Sequence, residues 1–400
     1  MTLIHHDRPI ADAPLDAEAL IREARDRQRR RRLRLGFLLL LAVLGTVGYL
    51  SSAELASPRV TPSGSSAAIP APVRLGPAVS PKAPESLTVG SGGILYVVDT
   101  GRDEILRYGP GRAFHVVAGN GKEGFSPDGT PALRARLRLR YYSGIAVARD
   151  GAVYFSDAGN GLVREVLPDG VLHTVAGGGW RKLGTTALRP RSAELSTAYV
   201  SVAGLAVGPH GALYIATQKG VYRLGTDGRL HWVVGGQVGR PPKDWGGVYS
   251  NPAIQEDFAN AARIAFDGEG DLFVAGGGGW GLYERTSNAK LRFIEVLRGE
   301  GAGFFGSLAS APGGSVVAAY NFGLQRIEGD GAVKAIKANL AAPLGRMGGK
   351  GPENSGEAGY GVTVGPEGQI YVDIDQGVLS STAAILEVQR GGQVTPLWRS

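Results

Sequence analysis

The chain of 400 residues is long enough for two average domains or for one large all-β domain. Its 63 glycines and 23 prolines, with no long helix-forming stretch, favour many short strands joined by tight turns over a helical bundle. The net charge of +7 does not indicate a nucleic acid partner, because nine basic and six acidic residues lie in the first 34 residues and leave a net charge of only +4 for the rest. The lack of cysteine excludes disulfides, thiolate metal sites and cysteine nucleophiles.

An uncharged apolar run near the N-terminus predicts one transmembrane helix. The run Leu35–Leu50, extended by Ser51–Ala53, is about as long as a bilayer is thick. Eight arginines stand between residues 22 and 34, just before it. The positive-inside rule then predicts a single-pass signal-anchor at 35–53 in the inner (cytoplasmic) membrane, with the Arg-rich tail 1–34 in the cytoplasm and the rest of the chain extracytoplasmic.

Two other interpretations of this run remain open. A buried core helix would place the arginine block against the protein interior, at a high cost in free energy. A cleaved signal peptide is the closer rival, because Ser51-Ser-Ala53 offers small residues where a peptidase could cut, although the charged region before it is unusually long. After the run, residues 54–83 are rich in Pro, Ser, Ala and Gly and predict an extended linker, which places the folded domain at 84–400.

The folded domain contains an internal repeat. Gly93–Asp99, Gly151–Asp157 and Gly211–Ala216 are near copies, and each is followed by two further apolar runs. Weaker copies follow at residues 263–327, and a strong one lies at 361–398. Equivalent positions are 58, 60, 59, 44 and 54 residues apart, at Tyr96, Tyr154, Tyr214, Phe273, Val317 and Tyr371. Each unit reads as four short strands separated by Gly or Asp-Gly turns, so the predicted fold is a six-bladed β-propeller of four-stranded antiparallel blades.

The link between the first two units resembles the NHL-repeat family of propellers in its long bacterial form. The segment Ala118–Leu139 is similar to that family's Ala-Gly-x-Gly, Gly-Phe-Ser-x-Asp-Gly and Pro-Ala stretches. The resemblance is good over about 84–236 and faint over 262–340. It implies a six-bladed propeller used mainly as a binding platform, with partners that differ between members. The units start on an inner strand near Leu87 and end on an outer one near Trp398, which predicts closure of the ring by side-chain packing without strand exchange.

No catalytic or metal-ligating set is predicted, and no cofactor is expected. Propeller enzymes such as the gluconolactonase-like family hold calcium in the central channel, which would make calcium the ion to expect in an enzyme of this kind. Calcium needs six or more oxygen ligands, including carboxylates, and the predicted inner strands offer only Glu85 nearby. Asp99, Asp157 and Asp373 recur near the ends of second strands, where a turn residue that bonds its own backbone is the favoured interpretation.

Histidines occur at matching positions in the fourth strands of three units. These are His115, His173 and His231, and they would be spread around the rim of a propeller, too far apart to share one metal ion. An exposed alternating position explains them better. The glycine runs 177–179 and 276–279 lack the Lys-Ser/Thr ending of a phosphate loop and read as turns.

Candidate binding residues lie on one face of the predicted propeller. Links between blades and loops between second and third strands must emerge on the same side, and this side is rich in aromatic and basic residues. The predicted ligand-binding residues are Arg140, Tyr141, Tyr142, Trp180, Arg181, Lys182, Lys243, Trp245 and Trp280. Alternatively, these aromatics pack beneath their own loops, and the alternation of leucine with arginine over 133–140 forms an extra edge strand with its arginines in water.

The sequence therefore predicts a membrane-tethered binding or scaffold propeller. Its expected partner is a protein or an anionic envelope polysaccharide, its membrane contact is through 35–53, and nucleic acid is not expected. The alternative is a metal-dependent extracytoplasmic propeller enzyme, lactonase-like or lyase-like. The identity of the ligand does not follow from the residues.

Overall fold

The computed structural model describes most of the predicted repeat region. The described residues are 74–140, 143–195, 204–217, 219–235, 263–276, 281–285, 291–294, 305–320, 323–338, 340, 361–375 and 383–400. Within these ranges no helix is both long and apolar enough to cross a bilayer. The predicted tail 1–34 and anchor 35–53 lie outside them.

The described residues form six antiparallel sheets, each taken here as one blade. Blade one contains β1 (Ala78–Val79), β2 (Pro84–Val89), β3 (Leu95–Asp99), β4 (Glu104–Tyr108) and β5 (Phe114–Ala118). Blade two contains β6 (Ile145–Val147), β7 (Val153–Asp157), β8 (Leu162–Val166) and β9 (Leu172–Gly177). Blade three contains β10 (Gly204–Val207), β11 (Leu213–Thr217), β12 (Gly220–Leu224) and β13 (Leu230–Val234).

Blades four to six repeat the same four-strand order. Blade four contains β14 (Arg263–Phe266), β15 (Leu272–Gly276), β16 (Gly281–Arg285) and β17 (Leu291–Ile294). Blade five contains β18 (Phe305–Ala311), β19 (Ser315–Tyr320), β20 (Gly323–Ile327) and β21 (Val333–Ile336). Blade six contains β22 (Val362–Val364), β23 (Ile370–Asp375), β24 (Ala383–Val388) and β25 (Val394–Arg399). Short 3-10 helices lie at Ser91–Gly93, Pro110–Arg112, Ala132–Arg134, Ala158–Asn160, Pro190–Ser192 and Pro209–Gly211.

The first strands of the six blades line up around a common centre. β2 contacts β6, β6 contacts β10, and the series continues through β14, β18 and β22 back to β2. Each blade meets its neighbours through apolar clusters that draw residues from both sheets. The prediction of a six-bladed propeller with four-stranded antiparallel blades is confirmed.

Asp-Gly turns close the hairpins between the third and fourth strands of blades two and three. The Asp169 and Asp227 carboxylates accept hydrogen bonds from the backbone N–H two residues further on. Gly170 and Gly228 then adopt φ of 80° and 68°, which side chains rarely tolerate. These two Asp-Gly pairs are therefore hairpin turns on the same face of the disc.

Each described link is a wedge between two blades. In the link after blade one, Ala135, Leu137 and Leu139 are buried in a single cluster with side chains of β3 to β5 and of β6 to β9. Ala193 and Leu195 occupy the corresponding place between blades two and three.

The same links also cover the outer edge of the following blade. Pro131 forms an antiparallel bridge with Val171 at the start of the outer strand of blade two, and Leu188 does so with Leu230 in blade three. In blade one, β1 pairs with β5 in the same manner, although β1 lies within the segment 54–83 that was predicted to be a linker. Each of these outer strands thus gains an additional hydrogen-bonding neighbour at its exposed edge.

The ring closes between blade six and blade one by packing of side chains. Ile385 of β24 is buried in one cluster with Leu87 and Val97 of blade one. The backbone N–H of Val89 donates to the Thr363 Oγ1 at 3.1 Å, and the Trp398 Nε1 donates to the Ser80 Oγ at 2.9 Å. Among the described strands, none of blade one pairs with a strand of blade six.

Candidate binding surface on the inter-blade links

A row of arginines lies on the link between blades one and two. Arg134, Arg136, Arg138 and Arg140 are all exposed, and they alternate with the buried residues of the wedge. The predicted alternation of leucine and arginine is therefore present, but the segment lies between two blades and is not a regular edge strand.

Side chains of the link itself and of both neighbouring blades fix the backbone of this arginine row. The N–H of Arg136 donates to the Ser126 Oγ at 2.9 Å, and the N–H of Arg138 donates to the Asp157 Oδ1 at 2.8 Å. Further bonds run from Leu139 to Asp103 and from Arg140 to Ser143. A segment held in this way presents its arginines at fixed positions, which lowers the entropy lost when a ligand binds.

The two ends of the row differ in charge balance. Glu123 binds the Arg138 Nε at 2.7 Å and the Arg140 Nη2 at 2.5 Å. The hydrogen bond from Arg140 and the charges of both arginines lower the pKa of Glu123, so it is ionised at neutral pH. Arg134 and Arg136 form no ion pair with any carboxylate of the described residues, so their charge faces solvent.

Trp180 stands out from the next link with 82% of its surface exposed. The Arg181 guanidinium lies 5.7 Å from the centre of its ring, and Lys182 follows in solvent. The backbone beneath is held in place, because the N–H of Arg181 donates to the Ser192 carbonyl at 2.9 Å. The alternative that the aromatics pack beneath their own loop does not apply to Trp180.

The structure describes four of the nine predicted binding residues. Arg140 belongs to the first link, and Trp180, Arg181 and Lys182 belong to the second. Both links emerge on the face that the strand order predicts. Tyr141, Tyr142, Lys243, Trp245 and Trp280 lie outside the described residues.

A buried guanidinium that sequence reasoning missed connects the two links. Arg164 of β8 is 1% exposed, and it donates to the Ser126 carbonyl and to the Thr174 Oγ1, both at 2.8 Å. Asp128 lies 3.7 Å from Arg164 and 3.0 Å from Arg191 of the second link.

Charge and burial oppose each other in this network. Burial lowers the pKa of Arg164, while the nearby carboxylates of Asp157 and Asp128 act against that shift. Partial burial raises the pKa of Asp128, but the bond from Thr174 and the two arginine charges outweigh it, and the net shift is downward. Phe125, 59% exposed, covers the Arg164 guanidinium at 5.8 Å from the ring centre. The Gly-Phe-Ser-x-Asp-Gly segment noted in the sequence is thus the part of the link that docks on Arg164.

Two of the recurring aspartates bind the backbone of the segment that precedes the first strand of their own blade. The Asp99 carboxylate accepts bonds from the N–H groups of Lys82 at 2.8 Å and Ala83 at 2.9 Å, while Asp157 holds the N–H of Arg138. Burial raises the pKa of both Asp99 and Asp157. The prediction that their carboxylates bond the backbone of their own turns is wrong, because the backbone N–H groups that they accept from lie 16 to 19 residues earlier. Within its own turn, Asp157 accepts only from the Asn160 side chain.

Asp373 occupies a different place. Its Oδ1 accepts from the N–H of Gly361, as the Ser156 Oγ accepts from Gly144 in blade two. Asp373 is thus equivalent to Ser156 and not to Asp157. The sequence pattern places all three aspartates near the ends of second strands and does not distinguish these two positions.

The described residues include no group of three or more His, Asp or Glu side chains arranged to hold a metal ion. His115, His173 and His231 lie on the outer strands β5, β9 and β13 of different blades, as their spacing predicts. His231 contacts Asp227 at 2.9 Å in its own hairpin.

Fold and surface together define the class of protein, a six-bladed β-propeller with basic, partly aromatic links. Comparison with protein-family models finds no match, and comparison with curated proteins finds none either.

Several solved structures resemble the chain at low sequence identity. A virginiamycin B lyase from Staphylococcus aureus is 9% identical with a TM-score of 0.46, covering 81% of this chain and 87% of that one. A gluconolactonase from Xanthomonas campestris is 14% identical with a TM-score of 0.44, covering 75% and 87%. An aldose sugar dehydrogenase from Streptomyces coelicolor is 17% identical with a TM-score of 0.40, covering 79% and 98%. The resemblance to the NHL-repeat family stays a prediction.

Proposed function

We propose that this chain is a membrane-tethered binding propeller that engages an anionic envelope polymer through the links of blades one to three. The observation that carries the proposal is the pair Arg134 and Arg136, exposed on a link that bonds to both neighbouring blades at Arg138 and Leu139 and without a carboxylate partner among the described residues. Guanidinium groups bind carboxylates and phosphates through paired hydrogen bonds, so such a row suits a polymer with repeated acidic groups.

The neighbouring link extends this surface with an aromatic group. Exposed Trp180, with Arg181 beside its ring, offers an apolar face next to positive charge. Sugar rings present apolar faces and acidic substituents together, which this combination can bind. An anionic polysaccharide is therefore the favoured polymer, and a protein partner is an outcome that the experiment below must distinguish.

The location is part of the proposal. The apolar run 35–53 with arginines on its N-terminal side supports a signal-anchor with the propeller outside the cytoplasmic membrane. The linker from residue 54 would then let the disc reach polymer near the membrane surface.

The test measures binding of the full chain in detergent micelles to a polyuronate, with uncharged dextran as the negative control. The variant Arg134→Ala/Arg136→Ala should bind the polyuronate about tenfold more weakly, or worse, because about 1.4 kcal/mol corresponds to tenfold and each lost contact to an anion contributes on that scale. Added salt should weaken the wild-type complex through screening.

A matched control keeps the net charge equal. Arg74→Ala/Arg229→Ala removes two exposed arginines that lie outside the links between blades, and it should bind like the wild type. Equal affinity of the two double variants would contradict the proposal. A wild-type chain that does not bind polyuronate but crosslinks to a protein in cells would favour the protein partner instead.

The metal-dependent enzyme remains the alternative from the sequence, but no specific observation among the described residues favours it. Calcium or zinc retained at one ion per purified chain would support it against the binding role.

A further inference from the structure

A cleft of about 330 Å³ opens between blades five and six, at the face opposite the links. Blade five contributes Pro312, Arg326 and Ile336, and blade six contributes Gly368, Gln389 and Arg390. Its volume is at the lower end of the range for small-molecule sites. The proposed polymer surface on blades one to three contributes nothing to it.

Arg326 lies within an otherwise apolar interface between the two blades. Leu324, two residues earlier on the same side of β20, is buried and belongs to the cluster that joins blade five to blade six. The Arg326 Nη1 donates to the buried Ser315 Oγ at 2.7 Å, which orients the guanidinium. A guanidinium has five N–H donors, so this bond leaves donors for a ligand.

Arg390 reaches the same cleft from the turn after β24. A Cβ at Gly368 would lie 3.2 Å from the Arg390 Nε and 3.4 Å from its Nη2, so the absence of a side chain there lets the guanidinium lie flat on the turn. Gly368 has φ of 84°, a conformation that already favours glycine. Two cations from different blades thus line one space.

The cleft has no acidic lining residue to balance these charges. The nearby Glu328 is engaged by Lys334 at 3.2 Å. Two like charges that share a cleft repel each other, and an anion between them removes that cost and accepts bidentate hydrogen bonds. The side chains of Pro312, Ile336 and Ile370 supply an apolar wall for the rest of a ligand.

We propose that the cleft between blades five and six binds a small organic anion, whose carboxylate or phosphate lies between Arg326 and Arg390 and whose compact apolar body packs on the isoleucines. The ligand would contact both blades, so its binding should also stabilise the disc.

The experiment uses the full chain in detergent micelles and three probes of similar size: benzoate, phenyl phosphate and the neutral benzyl alcohol. Titration calorimetry should show binding of at least one anion and at least tenfold weaker binding of the alcohol. The anion that binds should raise the melting temperature, and the relative affinity of benzoate and phenyl phosphate identifies the acidic group.

Two variants and a control locate the site. Arg390→Ala and Arg326→Lys should each weaken the anion at least tenfold, the second because an ammonium cannot replace the paired donors of the guanidinium. Arg229→Ala removes an exposed arginine from the equivalent hairpin of blade three and should leave the affinity unchanged. The proposal is overturned by a wild-type chain that binds neither anion, by equal binding of the alcohol, or by wild-type affinity in both cleft variants.

Discussion

Arg164 is a charged residue in a position that the strand pattern reserves for the interior. It shares a face of β8 with Leu162 and Val166, both buried. A buried charge is tolerated when partners offset it. Here a carbonyl and a hydroxyl accept bonds from the two Nη atoms and the Asp128 carboxylate lies 3.7 Å away, while the buried Nε has no hydrogen-bond partner among the described residues. Arg164 holds the link on blade two, so removal of one of its partners should lower the free energy of unfolding.

Asp128→Asn should lower the free energy of unfolding by about 1–3 kcal/mol, because it removes the carboxylate between Arg164 and Arg191. Urea unfolding followed by fluorescence measures the change. Asp169→Asn alters an exposed hairpin carboxylate and should have a much smaller effect. If both variants lose the same amount, the charge between the two links does not matter.

Tyr154 provides a prediction for alkaline pH. Burial, with the neighbouring Glu165 and Asp150 carboxylates, raises its pKa from 10.0 to about 12. The unfolded chain loses the phenol proton first, so between pH 10 and pH 12 the folded state binds more protons and its stability falls as pH rises.

Tyr154→Phe should therefore flatten this fall in stability, and a titration of tyrosinate absorbance should lose one group that ionises near pH 12. Tyr222→Phe offers a comparison, since burial raises that pKa to about 12 as well. A Tyr154→Phe chain with the wild-type slope would show that the phenol is not held in its protonated form.

At this scale the sequence predicts little of the site. The exposure of Arg134 to Arg140 follows from their alternation with apolar residues, a pattern visible without coordinates. The partners of Asp99 and Asp157 do not, because hydrogen bonds across 16 to 19 residues depend on how the link folds back. Arg164 is missed for the same reason.

The link between blades one and two is the most informative single element. Its apolar side chains fill the gap between the sheets of blades one and two. It also pairs with the exposed edge of the outer strand of blade two. Its apolar residues belong to the interior, while its arginines belong to the surface. Stability and binding should therefore be separable within a few residues.

Leu137→Ala should cost about 2–5 kcal/mol of unfolding free energy, since Leu137 is fully buried between two blades. The adjacent Arg136→Ala should change stability by no more than about 0.5 kcal/mol. Denaturant unfolding of the two variants in parallel provides the measurement. A small loss for Leu137→Ala would mean that the blades pack together without the wedge.

For the whole molecule, the repeat was sufficient to predict the number of blades. The six equivalent positions from Tyr96 to Tyr371 all lie in second strands, as predicted, because short turns force consecutive strands to pair as neighbours. The sequence predicts closure by side-chain packing without strand exchange, but it does not identify the residues that pack. The contacts that close the ring join residues roughly 300 positions apart, such as Leu87 and Ile385, and local pattern does not identify such pairs.

Ile385→Ala should destabilise the domain by about 2–5 kcal/mol, because it opens a cavity at a junction that no strand pairing of the described residues reinforces. Hydrogen exchange should then show faster opening of blades one and six than of blade three. Uniform acceleration in all blades would contradict the expectation that the change acts at the junction of blades one and six.

The bridges from Pro131 to Val171 and from Leu188 to Leu230 also indicate which segment of the chain could be duplicated as a complete repeat unit. A copied segment that began at an inner strand would arrive with its outer edge bare and with no filler against its neighbour. A segment that began just after the preceding outer strand, such as 119–177, would bring its own cover and its own wedge. The self-contained repeating unit of this propeller is therefore the link together with the blade that follows it.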